Sequence, residues 1–208
     1  MNPKTITWSE AVELFERRGL PKSTWENLYE GEYVLYSGDA VVTGDFPLNS
    51  GEPQPWDLDY DIGYIVDGSL TVSGALYDFD DGAAALVVLG DLRATGFHTT
   101  CDTKLVVTGN TSADVVYGRY TDKYLVFGGD LRATVQVWWD ECAPDQVDGT
   151  LAGSLVLPSY ASDDDLGAAI VENAGSGTDL LVAEVLGEDG VDGEALLDRL
   201  VAGEPVLR

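Results

Sequence analysis

LVVLGDLRAT (86–95) and LVFGGDLRAT (125–134) are two versions of one decapeptide, and their shared pattern decides the fold. Apolar residues lead up to a glycine, an aspartate follows, and apolar and polar residues alternate beyond it. Working outward, the phrase returns as AVVTGDF (40–46), YIVDGSL (64–70), LVVTGNT (105–111) and DQVDGTL (145–151). The six copies align on Gly44, Gly68, Gly90, Gly109, Gly129 and Gly149, at spacings of 24, 22, 19, 20 and 20 residues. A fixed period of this kind marks a repeat architecture whose units bury their apolar faces only by stacking.

Read as columns, the copies say which way each position faces. Two places before the glycine stand Val42, Val66, Val88, Val107, Phe127 and Val147, and two places after stand Phe46, Leu70, Leu92, Thr111, Leu131 and Leu151. These columns face inward. Asp45, Ser69, Asp91, Asn110, Asp130 and Thr150 follow the glycines, and Thr71, Arg93, Ser112 and Arg132 lie beyond them, all facing water. Alternation with period two is strand, and the recurring glycine suits a bend. Parallel strands stacked about 4.8 Å apart give six rungs about 25 to 30 Å long. The expectation is a mainly β protein, a parallel β-solenoid of about six rungs. An antiparallel sandwich also has short strands, but it does not require matching columns over six copies.

Residues 40–157 resemble the β-helical core of bactofilin-like polymer-forming proteins, whose rungs carry similar apolar-x-Gly-Asp-apolar phrases. The resemblance implies a right-handed β-helix and, through it, self-assembly. Around the repeat domain (40–158), the ends read as caps. Residues 1–39 hold a short helix, with Thr7 and Glu10 at capping-box spacing, Trp8, Ala11, Val12 and Phe15 on one face, and Gly19 and Pro21 as stop. Residues 159–208 read as an α/β cap, helix–strand–helix. Ser162 starts the first helix and Gly175 ends it, LLVAEVL (180–186) is the strand, and Asp192 caps GEALLDRLVAG. Residues 47–61 read as a loop extruded between rungs.

The 208 residues carry 37 acidic and 11 basic side chains, a net charge of −26. With 45% hydrophobic residues, the chain keeps the apolar share of a packed domain, so the charge does not mark disorder. Such a field repels nucleic acid and anionic membrane surfaces and favours a basic protein. It is also patterned. Ser23 through Leu92 has no lysine or arginine against 14 acids, and Ala133 through Asp198 has none against 15. General solvation is the other account of such acidity. AAALVVL (83–89) is the longest apolar run, and MNPKTITWSE has no charged n-region or apolar h-region. The expectation is therefore no membrane span, no signal peptide and a cytoplasmic location. Two cysteines make no disulfide framework.

Candidate chemistry is sparse. Asp57, Asp59 and Asp61 have calcium-loop spacing, but Ile62 and Gly68 stand where that loop needs glycine and glutamate, so no metal is expected and the three read as an acidic loop offered to a partner. Asp80 and Asp81 beside Gly82, and Asp163 to Asp165, read as turn and helix-start residues. Asp45, Asp91, Asn110 and Asp130 form a ladder of the kind that serves carbohydrate chemistry on β-helical enzymes, yet Arg93 and Arg132 beside two of them point to surface pairing. His98 and Cys101 lack an orienting third group and an oxyanion site. Cys142 lies two rungs from Cys101, about 9 to 10 Å, too far for a disulfide. With no P-loop, dinucleotide fingerprint or paired-cysteine zinc motif, neither catalysis nor a cofactor is expected.

Two features suit binding. Three places before the glycines, Val41, Ile65, Val87, Val106 and Val126 make an outward apolar stripe about 20 Å long, which needs a cover. The N-terminal helix, the terminal helix with Leu196, Leu197 and Leu200, or a partner can supply it. Second, Trp138, Trp139, Asp140 and Glu141 place adjacent indoles on a strand, so one faces outward beside two acids. Together these lead to a non-enzymatic acidic binding protein, in its most specific form an immunity or antitoxin protein that occludes the basic site of a cognate toxin. The alternative is a self-assembling, bactofilin-like scaffold, which capping helices at both ends would disfavour.

Overall fold

The alternation of the repeats is realised as stacked parallel strands. The computed structural model describes residues 3–48, 56, 62–78, 84–172, 176–188 and 190–208. Tyr33–Ser37, Gly63–Asp67, Ala84–Val88, Thr103–Val107, Tyr124–Phe127 and Gln146–Val147 pair in that order as one parallel sheet. Six strands in one column enclose about five turns of a β-solenoid. The second sheet is broken in early turns, as in Leu70–Val72 and Ala75–Tyr77, and continuous later as Thr111–Arg119, Leu131–Trp139 and Thr150–Val156. Strand takes 43% and helix 19% of the described residues, which are mainly β.

One column shifts from its sequence reading. The stacked glycines are Gly38, Gly68, Gly90, Gly109, Gly129 and Gly149, with Gly38 where the spacing predicts Gly44. A Cβ on Gly68 would stand 2.5 Å from the Gly38 carbonyl carbon, and one on Gly90 2.7 Å from that of Gly68, so successive backbones leave no room for a side chain. Gly44 lies against Gly74 at the next bend. The first turn is the longest, with Asp39 and Ser69 thirty residues apart; of the loop expected at 47–61, all but Pro47, Leu48 and Trp56 lies outside the described residues, and Pro47 belongs to the strand Phe46–Pro47. VTGDF within this turn imitates the repeat phrase. Val41 leaves the apolar stripe for the same reason. It is 73% exposed, and Leu35 takes its place opposite Ile65.

The interior is the sum of the inward columns. Val66, Val88, Val107 and Phe127 from the first sheet meet Leu70, Leu92, Leu131 and Leu151 from the second, all buried. Truncating one of these leucines to alanine costs about 2 to 5 kcal/mol. The amide of Gln136 is also inside. Its Nε2 donates to the Ala152 carbonyl at 2.9 Å and its Oε1 accepts from Trp138 Nε1 at 3.3 Å. This satisfies groups at a bulge, where the register between Leu131–Trp139 and Thr150–Val156 slips.

Both outer stripes are covered by the chain itself. Thr7 and Glu10 form the capping box of the helix Trp8–Arg18, and Gly19 ends it at φ 75°. Its Ala11, Leu14 and Phe15, with Leu28, bury Leu35, Ile65, Val87, Val106 and Val126. The N-terminal helix is thus the cover that the sequence left open. A second stripe on the other sheet, Ala75, Tyr77, Val115, Tyr117, Val135 and Val137, is buried by Leu181, Val185, Leu196 and Leu200. The last two belong to the helix Gly193–Val201, whose N-cap Asp192 accepts from the Glu194 and Ala195 amides. Both helices therefore lie along the flanks of the solenoid.

Two expectations for the C-terminal region fail. The helix expected from Ser162 is a single 3-10 turn, Asp163–Leu166, closed by Gly167 at φ 62° and followed by the strand Ala169–Glu172. There Ile170 and Val171 take ladder positions opposite Leu151 and Ala152, and pairing outweighs the helix start. The strand expected at 180–186 is two helical turns, Gly177–Leu180 and Ala183–Val185, followed by Leu186–Gly187. Leu181, in the extended link between the two turns, and Val185 are both wholly buried.

Candidate functional site

The residues following the glycines form a hydrogen-bond ladder. Asp39 Oδ1 accepts from Ser69 N at 2.8 Å, Asp91 Oδ1 from Asn110 N at 2.8 Å, Asn110 Oδ1 from Asp130 N at 3.0 Å, and Asp130 Oδ1 from Thr150 N at 2.8 Å. Each side chain satisfies a turn amide one rung on, the use Asp and Asn have in turns. The Thr150 amide first, then Arg132 at 2.5 Å, hold the Asp130 carboxyl down at about 2. Asp45 serves the second bend, accepting from Ala75 N at 2.7 Å. The expected pairing of Arg93 is not seen, since among the described residues it makes no ion pair. The ladder is scaffold.

A second polar group lies inside one corner. Asp78 is buried and accepts from the Thr99 and Thr103 hydroxyls and from the Thr100 and Cys101 amides. Lys123 is 8% exposed, and among the described residues its Nζ has no hydrogen-bond partner. Cys142 is buried nearby, and burial pushes its thiol up to about 12. Neither cysteine is in a disulfide. On the outer face His98 stacks on Tyr117, centroids 4.8 Å and planes 9° apart, and its Nε2 donates to the Gly193 carbonyl at 2.9 Å. Among the described residues, no group of three or more His, Cys, Asp or Glu side chains is placed to hold a metal ion. No helix among them is long and apolar enough to cross a membrane.

Of the residues that the sequence offers to a partner, Asp57, Asp59 and Asp61 lie outside the described residues. Trp138 is 1% exposed and belongs to the interior. Trp139 does face outward, but it is half-buried against Gly190 of the chain's own C-terminal segment. Asp140 and Glu141 have φ of 50° and 61°, and Cys142 N donates to the Trp139 carbonyl at 3.0 Å. Residues 139–142 are thus a tight turn of the kind that needs positive φ at both central positions. A glutamate held there costs about 1 to 2 kcal/mol. Asp140 is engaged by Arg119 at 2.5 Å. Glu141 is exposed.

Glu141 lines a cavity of about 320 Å³ between this turn and residues 157–166. Trp138, Ala143, Leu157 and Leu166 form apolar wall, and Tyr160, 66% exposed, stands with Glu141 and Asp165 on its solvent side. Asp163 and Asp164 are exposed next to it, and Val171 on the following strand is 53% exposed. The combination accommodates the aliphatic stem of a lysine or arginine and meets its charge with carboxylates. Tyr160, Asp165 and Val171 were not singled out by sequence as binding residues. The signal available for them was the cation-free stretch from Ala133 through Asp198.

What fold and site define is a class, a β-solenoid with helices on its flanks and a strongly acidic C-terminal end. The chain matches no family model, no curated protein and no solved structure.

Proposed function

We propose that this protein is a non-enzymatic acidic binding protein that neutralises a basic protein partner, most specifically an immunity or antitoxin protein that occludes the basic site of a cognate toxin. The observation that carries this reading is the C-terminal end of the solenoid. There Tyr160 and Val171 are exposed among Glu141, Asp163, Asp164 and Asp165, in a stretch without a single lysine or arginine. Exposed apolar residues ringed by charge of one sign suit an interface, and the field raises association rates and rejects acidic competitors.

The test is crosslinking of the partner in the native host, followed by calorimetry of the purified pair. Asp163→Lys combined with Asp164→Lys weakens binding by about 2 to 5 kcal/mol and leaves the melting temperature in place. Co-expression with the partner restores growth if the partner is a toxin. An affinity indifferent both to these reversals and to salt overturns the reading, and the acidity is then general solvation.

A bactofilin-like self-assembling scaffold is the second reading. It is favoured by the flank position of both terminal helices, which leaves strands at the ends of the second sheet, with Val41 exposed at one and Val171 at the other. Against it stands the mutual repulsion of copies carrying −26 each. Light scattering across protein concentration separates the two, since a scaffold grows and a binding protein does not.

A further inference from the structure

We infer that the strand Ala169–Glu172 is a docking edge on which an extended basic segment of the partner adds to the second sheet. This rests on the basic-partner reading above and specifies how the partner binds. On one side the strand pairs with Thr150–Val156, and among the described residues no strand pairs with its other side. Such an edge presents a row of N–H and C=O groups that template another strand.

The other edges of the solenoid are blunted. In the first sheet, the edge strand at one end is Lys4–Ile6, three residues long and carrying a lysine, and the strand at the other end, Gln146–Val147, is two residues long. The far edge of the second sheet is broken into Ala40–Val42 and Phe46–Pro47, and the proline there has no amide hydrogen to donate. Ala169–Glu172 has no proline, no lysine and no break. Ile170 packs on the interior cluster, while Ala169 and Val171 are exposed.

Charge selects the occupant. Exposed Asp163, Asp164 and Asp165 lead into the strand, and no cation occurs from Ala133 through Asp198. A second copy of this chain would bring −26 to this face. A basic strand gains both main-chain hydrogen bonds and charge complementarity.

The probe is a short peptide of alternating lysine and valine, compared with the same peptide N-methylated on alternate amides and with a glutamate–valine peptide. The expected result is that only the first binds and that it protects the amides of this strand from hydrogen exchange. Val171→Lys then weakens binding about tenfold or more, while Val201→Lys, an equal charge change at an exposed residue of the C-terminal helix, changes it less than about twofold. If both lysine peptides bind alike and the two variants behave alike, the basic-partner reading stands and strand addition is wrong. Equal binding of the glutamate peptide overturns the choice of a basic occupant. No binding of any peptide overturns the docking edge, and the partner calorimetry still judges the parent reading. Concentration-dependent growth in light scattering, abolished by Val171→Lys, makes the occupant a second copy and overturns the proposal.

Discussion

Gly118 lies beside Trp138 in register on the neighbouring strand, and a Cβ on Gly118 would stand 2.7 Å from the indole and 2.9 Å from Cys142 Sγ. The missing side chain makes the space into which Trp138 folds. Gly118→Ala therefore overpacks the last turns and costs about 1 to 3 kcal/mol, read as a lower urea midpoint. An unchanged midpoint would mean that the indole has room to move aside.

His98 makes stability depend on mild acidity. Burial lowers its pKa in the fold, nearby Lys123 adds to this, and Asp78 together with the Gly193 carbonyl opposes it. The unfolded chain therefore takes up a proton that the folded chain resists, so stability is full above the ordinary histidine value and declines as pH falls below about 6.5. His98→Gln should flatten that decline, measured as urea midpoints near pH 7.5 and near pH 5.5. Parallel declines in the two proteins refute the assignment.

The Lys123 side chain is buried, and among the described residues its Nζ has no hydrogen-bond partner. Lys123→Met keeps the length of the chain and removes the unsatisfied charge, and it is expected to raise stability by about 1 to 3 kcal/mol. A loss instead would show that the ammonium is needed to balance the Asp78 carboxylate.

The ladder gives Asp130 two separable parts, an acceptor for the Thr150 amide and a charge for Arg132. Asp130→Asn keeps the acceptor, as Asn110 already does one rung earlier, so it lowers the melting temperature less than Asp130→Ala. Because the fold depresses this carboxyl, its contribution is present above the ordinary value of 3.8 and is lost as pH falls from there toward about 2. Equal effects of Asn and Ala would leave the amide bond without weight.

How much of this was legible in the sequence follows from range. Columns such as Val66, Val88, Val107 and Phe127 repeat the same local requirement, so the solenoid could be read from them. The first turn escaped because Gly44 matches the phrase locally, while the true neighbour of Gly68 is set by register across thirty residues. Ser162 and its acids do begin a helical turn, but the ladder with Leu151 and Ala152 takes over after Gly167, a contact no local pattern announces. The alternation of strand positions says that one of the adjacent indoles faces outward, and the fold makes it Trp139, half-buried. Its cover, around Gly190, comes from a distant segment of the chain. The Tyr160 cavity likewise exists only once residues 138–143 and 157–166 meet.

The flank position of the N-terminal helix also sets an order of events in time. Leu14 and Phe15 are made well before Val106 and Val126, yet the cluster that buries them includes both, and Tyr29 donates to the Asp102 carbonyl at 3.2 Å. During synthesis the helix must wait with its apolar face uncovered until the penultimate strand of the first sheet exists. A bare solenoid can grow turn by turn from either end. Here the helices Trp8–Arg18 and Gly193–Val201 clasp the middle turns from both flanks, which makes separate turns into one cooperative unit and makes its assembly slow.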